Sequence, residues 1–262
     1  MKNKILKNLF IVLVFIFLYL PILALIAFSF NDSKLNIVFE GFTLEWYKTL
    51  FTNTTLLESL GNTLIVAITS TVISTIVGTI AAIGLYKYDF KGKDFINSLL
   101  YIPVVIPEIV LGISLLSIYT LMKLNLGLGT LIISHIAFSI PYVIISIRTV
   151  ISSMNWQIEE AAHDLGASDF LTFRKIILPE ITPGIISGAT LAFTLSLDDV
   201  IISYFTTGPG SNTLPLQIYS MIKTGITPDV NALTTLIILV VMIILFTSTI
   251  IQARKLKKGY KI

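Results

Sequence analysis

Six stretches of the chain, about 9–30, 62–86, 95–121, 128–150, 183–205 and 231–252, run almost without charge. They leave it little choice of solvent. A helix needs about 20 mostly apolar residues to cross a hydrocarbon core, and it satisfies its own backbone polar groups on the way. Composition agrees, with 55% hydrophobic and 13% charged residues against roughly 25% charged in soluble domains. The pattern predicts an all-α membrane protein of six transmembrane helices, forming a single transmembrane domain over 1–262. The first run follows Lys2, Lys4 and Lys7, as a signal peptide would. It is too long for a usual signal core, and Ala27-Phe28-Ser29 is a poor cleavage site, so it reads as a retained anchor.

Orientation follows from the distribution of Lys and Arg. Six spans put both termini on one side, and a cytoplasmic placement collects 14 of the 18 basic residues inside. Lys34, Lys48, Lys123 and Lys223 alone fall outside, as the bias toward positive cytoplasmic loops requires. The tail Arg254-Lys255-Leu256-Lys257-Lys258 then reads as a topology determinant and an anchor for anionic lipid, not as a nucleic-acid patch. On the outer side, Thr43-Leu44-Glu45-Trp46-Tyr47 opens a short helix with a Thr cap and an acid in its first turn, and Trp46, Tyr47, Phe42 and Phe51 suit headgroup depth. Residues 206–230, with Gly208-Pro209-Gly210, Pro215 and Pro228, predict an irregular outer loop. The sequence has no cysteine, which excludes disulfides and thiol catalysis. Nothing calls for a cofactor or a metal.

The longest inner connection, 151–182, has its own design. Asn155 is a good helix cap, and Glu159 and Glu160 fall in the first turn, at the positive end of the helix dipole. Gly166 stops that helix, because glycine readily takes the left-handed conformation that ends one. Ser168 and Asp169 start a second short helix, predicted to end before Pro179. The result is a helix–Gly–helix elbow outside the bilayer, with an apolar side of Leu165, Phe170, Phe173 and Ile176. A soluble partner could grip such a knob.

Glu160, Ala161, Ala162, Gly166, Ile176, Leu178 and Pro179 stand at the spacing Glu-Ala-Ala, three residues, Gly, nine residues, Ile, one residue, Leu-Pro. This loop resembles the signature of permeases in binding-protein-dependent ABC importers. The resemblance implies the type I ABC importer permease fold, and it implies that the loop is a coupling helix docking on a separate ATPase. The chain carries no phosphate-cradling Gly-x-x-x-x-Gly-Lys-Ser/Thr run of its own; its one Gly-Lys, Gly92-Lys93, lacks the preceding glycine. It is therefore a mechanical part and not itself an enzyme.

Three acids, Glu108, Asp198 and Asp199, fall within predicted spans, where a carboxylate is costly unless it is paired or faces water. No Lys or Arg lies at a span centre to pair with them. Three readings stay open: a wet acidic waist accepting a cationic solute, acids protonated or hydrogen-bonded to Ser and Thr of neighbouring helices, or acids marking a subunit interface. His135 reads as a packed, hydrogen-bonded residue. The segments Ile106–Leu116, Phe193–Phe205, Thr213–Leu216 and Thr227–Leu233 resemble spermidine/putrescine permeases of the C type. That likeness implies a prokaryotic cell-membrane importer with two ATPase copies, a second homologous permease and an extracellular or periplasmic polyamine-binding protein. Alternatives are a same-family importer of another solute, such as thiamine or a metal chelate, and an ion-coupled secondary transporter.

Overall fold

Among the described residues, regular structure starts at Lys2 and is helical. The computed structural model describes residues 2–33, 38–224 and 227–259, without the side chains of 2–5, 223–224, 244–245 and 248–259. Lys34 and the side chains of Lys2, Lys4, Lys223 and the basic tail thus lie outside the described residues. Among the described residues there is no strand, only an isolated bridge between Asn31 and Phe42.

The helices are α1 (Lys2–Phe28), α2 (Glu45–Thr52), α3 (Thr54–Lys87), α4 (Lys93–Val105), α5 (Glu108–Leu121), α6 (Leu128–Ile151), α7 (Gln157–Asp164) and α8 (Asp169–Thr172). A π turn (Phe173–Ile177) leads into α9 (Leu178–Leu197), followed by α10 (Ile201–Thr206), α11 (Leu214–Thr224) and α12 (Pro228–Gly259). Among the described residues, four unbroken stretches are long and apolar enough to cross a membrane: Leu6–Phe28, Thr54–Lys87, Leu128–Ile151 and Asp169–Leu197. The bent pair α4 and α5 makes five. A shorter apolar stretch, Pro228–Ile243, opens α12.

The contacts divide the chain into two units, Met1–Leu57 with Ser220–Ile262, and Glu58–Tyr219. In the first, the connection after α1 is tied down by its own polar groups. Trp46 Nε1 donates to the Asn31 carbonyl at 2.6 Å, and Ser29 Oγ lies 2.8 Å from the Tyr47 hydroxyl. Thr43 Oγ1 accepts from the Glu45 amide at 3.2 Å, the cap expected at the start of α2. Asn53 accepts from the Leu56 amide and donates to Asp229 Oδ2 at 2.7 Å, joining α2 to α12.

In the second unit, α6 and α9 form the densest packing. Gly184 and Gly188, one turn apart, let the backbones approach. A Cβ at Gly184 would sit 3.0 Å from Ile147 Cα, and one at Gly188 would sit 3.1 Å from Val143 Cα. Small residues spaced by four are a usual means of helix association in lipid, where no hydrophobic effect drives it. Around this seam Val143, Ile144, Ile147, Ile151, Ile177 and Ile181 form the buried core, with Ala82 and Leu85 of α3.

Four sequence expectations need correction. The connection 206–230 is not irregular throughout: α11 occupies Leu214–Thr224, with Pro215 in its first turn, where a missing N–H costs little. The third span is not one helix: α4 and α5 meet at 110°. Ile106 (ψ 137°) and Pro107 (ψ 134°) are extended, since proline disfavours the helical conformation in the residue before it. The fifth span begins earlier than 183 and stops at Leu197, with Asp198, Asp199 and Val200 outside regular helix before α10 resumes. Finally, the second elbow helix does not end before Pro179. The π turn relocates the backbone bonding, so that Leu178 N donates to Phe173 O, and the chain passes into α9 with Pro179 in its first turn, where a missing N–H costs little.

Candidate functional site

The two helix interruptions supply the walls of one cavity of about 320 Å³, lined by Glu108, Asp198 and Asp199 together with Pro103, Tyr142 and Leu195. All three acids singled out in the sequence therefore come to one place. Glu108 is in the first turn of α5, directly after the bend. Asp198 follows the last residue of α9 (φ −106°, ψ 2°). Both are exposed. Among the described residues, neither side chain takes part in a hydrogen bond or ion pair.

Asp199 is different in kind. It is buried, and its carboxylate accepts from the amides of Ile202 at 3.1 Å and Ser203 at 2.7 Å, and from the Ser203 hydroxyl at 2.7 Å. It does the work of a cap for α10, satisfying N–H groups that have no partner within the helix. Its other neighbour is His135, fully buried on α6, with Nε2 at 3.5 Å from Asp199 Oδ2. His135 Nδ1 lies 2.6 Å from Ser196 Oγ and Nε2 lies 3.2 Å from Ser203 Oγ. Ser196 Oγ is in turn 3.2 Å from Ser70 Oγ of α3. His135 is thus the packed, hydrogen-bonded residue expected, and it also meets one of the acids.

Among the described residues, no Lys or Arg lines the cavity. With Asp199 engaged by donors, Asp198 and Glu108 are left to set its potential. Two carboxylates facing one recess attract a cation more strongly than either would alone.

The elbow forms as a second, separate site. Asn155 Oδ1 accepts from Gln157 N at 3.1 Å, capping α7, and Gly166 has φ +81°, the left-handed conformation anticipated for a helix stop. Ser168 Oγ accepts from Leu171 N at the start of α8. Glu160, Ala161, Gly166 and Pro179 are exposed, Ile176 and Leu178 half-buried, and Ala162 buried. The expected apolar side divides. Leu165 is 89% exposed and Phe170 is 70% exposed, whereas Phe173 packs against the core.

Residues 74–260 match the family described as binding-protein-dependent transport system inner membrane component. The chain belongs to that family. The spermidine/putrescine transport system permease protein PotC of Escherichia coli (strain K12) is 40% identical over 257 residues, covering 98% of this chain and 97% of that protein. The putrescine transport system permease protein PotI of the same strain is 38% identical over 251 residues, covering 93% and 89%. A bacterial ABC transporter involved in import of the acidic polysaccharide alginate has a solved chain that superimposes with a TM-score of 0.73. It covers 95% of this chain and 96% of that one at 16% identity, a likeness of fold. The chain is thus a multi-pass membrane protein with an ABC importer permease fold.

Within this permease, sequence reasoning missed how the elbow is held. Glu159, not Glu160, turns inward and forms an ion pair with Lys87 at the end of α3. Trp156 stacks on Tyr86 with ring centroids 5.0 Å apart. Partners separated by 72 residues leave no local pattern to find.

Proposed function

We propose that the chain is a permease subunit of an ATP-driven polyamine importer in a prokaryotic inner membrane, working by alternating access. One observation carries this: a cavity lined by three carboxylates and, among the described residues, by no Lys or Arg, in a chain related over nearly its whole length to spermidine/putrescine and putrescine permeases. Polyamines are polycations. Asp198 and Glu108 meet the cation, while Asp199 holds the break that positions Asp198 and adds to the field.

The wider assembly has two ATPase copies, a second homologous permease and an extracellular or periplasmic polyamine-binding protein. The chain has six spans, α12 supplying the last, with both termini and the elbow in the cytoplasm. Glu160, Ala161, Ala162 and Gly166 form the face on which the ATPase docks, while Ile176, Leu178 and Pro179 pass its motion into α9. The continuous helix from Asp169 to Leu197 supports that role, because it ends at the acid break.

The test is uptake of radiolabelled spermidine and putrescine by proteoliposomes holding the four-component complex. ATP-dependent accumulation that requires the binding protein is expected. A complex that imports thiamine or an oxyanion and ignores polyamines overturns the assignment.

A further inference from the structure

We propose that α3 links the elbow mechanically to the acidic cavity, with Lys87 and Glu159 as the positioning residues that latch it; this rests on the functional reading just given.

Two contacts join the end of α3 to the elbow. The Lys87 ammonium pairs with the Glu159 carboxylate, whose side chain is only 10% exposed. The neighbouring Tyr86 ring stacks on Trp156 at an interplanar angle of 16°. Trp156 and Glu159 are three residues apart and so lie on one face of the same helical turn. Consecutive residues of α3 thus grip the first turn of α7 and Trp156 just before it, while Glu160 and Ala161 remain exposed. His163 Nε2, 3.8 Å from Glu159 and 3.7 Å from Asp169, lies beside the pair.

The far connection of α3 is Ser70. From Ser70 to Lys87 the helix is unbroken and contains no proline, a rod of about 26 Å at 1.5 Å per residue. Ser70 meets Ser196, Ser196 meets His135, and His135 meets Asp199. The elbow is therefore joined to the acid break twice, covalently through α9 and by the latch through α3. A tilt of the elbow moves both helices together only while the latch holds. Without Lys87 the buried Glu159 loses its opposite charge, and the elbow gains a reason to leave α3. Packed helices and buried networks of this sort carry coupling when they have two discrete arrangements.

The experiment compares the complete complex carrying Lys87→Glu, Glu159→Lys or both substitutions together. The readout is spermidine moved per ATP hydrolysed. Each single substitution is expected to lower that ratio at least fivefold while the ATPase still copurifies and turns over. The double substitution, which restores the pair with reversed sign, is expected to recover to within twofold of wild type. Wild-type ratios in the singles, a double variant no better than the worse single, or loss of the ATPase from the singles would each overturn the latch. A second readout is blind to substrate: the distance between spin labels on exposed Ser168 of the elbow and exposed Ile76 of α3. It stays fixed through the ATP cycle in wild type and shifts in the singles. If that pattern holds in a complex moving no polyamine, the latch stands and the polyamine assignment falls. If the distance changes alike in wild type and singles, the latch falls.

Discussion

Asp198 and Asp199 are adjacent, yet their surroundings assign them different work. Asp199 accepts two amides and a hydroxyl and approaches His135, so its substitution by alanine strips partners from buried donors. Each buried polar group left unsatisfied costs on the order of 1–3 kcal/mol. Asp199→Ala is therefore expected to lower the melting temperature in detergent by roughly 5 °C or more. Asp198→Ala, at an exposed position with no such partners, should melt within about 2 °C of wild type. Equal melting of the two variants would refute the division. The sequence revealed both acids but not this difference. In an unbroken helix they would differ only by about 100° of rotation. The break that separates their roles depends on donors from Ile202 and Ser203 and on a histidine 64 residues earlier, which no local pattern reports.

At the scale of elements, the close α6–α9 seam is the most exacting feature. Methyl groups at Gly184 or Gly188 would press on backbone atoms of α6 at 3.0–3.1 Å. Gly188→Ala is expected to cost about 1 kcal/mol, and Gly188→Leu to force the helices apart at 3 kcal/mol or more. Yield of monodisperse complex on size exclusion measures this, and a normal yield for the leucine variant would show that the seam yields. The helices themselves were largely legible, because long uncharged runs and the loop signals of Asn155, Gly166 and Ser168 act locally. Breaks within helices were not. Pro103, Pro107, Pro141 and Pro183 all interrupt apolar runs, yet the sharp bend falls at Ile106-Pro107 while the others lie inside helices. A proline frees a carbonyl, and neighbouring helices decide whether that carbonyl finds another partner. At Pro179 a π turn supplied the solution, so a predicted stop became the start of α9.

For the whole molecule, orientation and cargo are the two claims that everything else serves. The distribution of Lys and Arg predicts a cytoplasmic elbow, and the chain has no cysteine to confuse labelling. A Ser168→Cys variant should react with a membrane-impermeant thiol reagent in inside-out vesicles and stay unlabelled in intact cells; the reverse would invert the topology. The composition of the chain allowed a membrane permease from the outset, and the Glu-Ala-Ala elbow narrowed it to one family. On the proposed reading, cargo depends on Glu108 meeting the adjacent pair Asp198 and Asp199 in one cavity, which only the fold brings about. The most direct measurement is therefore initial spermidine uptake by Glu108→Gln, Asp198→Asn and their combination, at matched complex levels. Removing one carboxylate a few ångströms from a cation, at an effective dielectric near 20, should lower uptake about tenfold or more, and the double variant should fall further. Uptake at wild-type rates in the double variant would contradict the acidic cavity as the polyamine path.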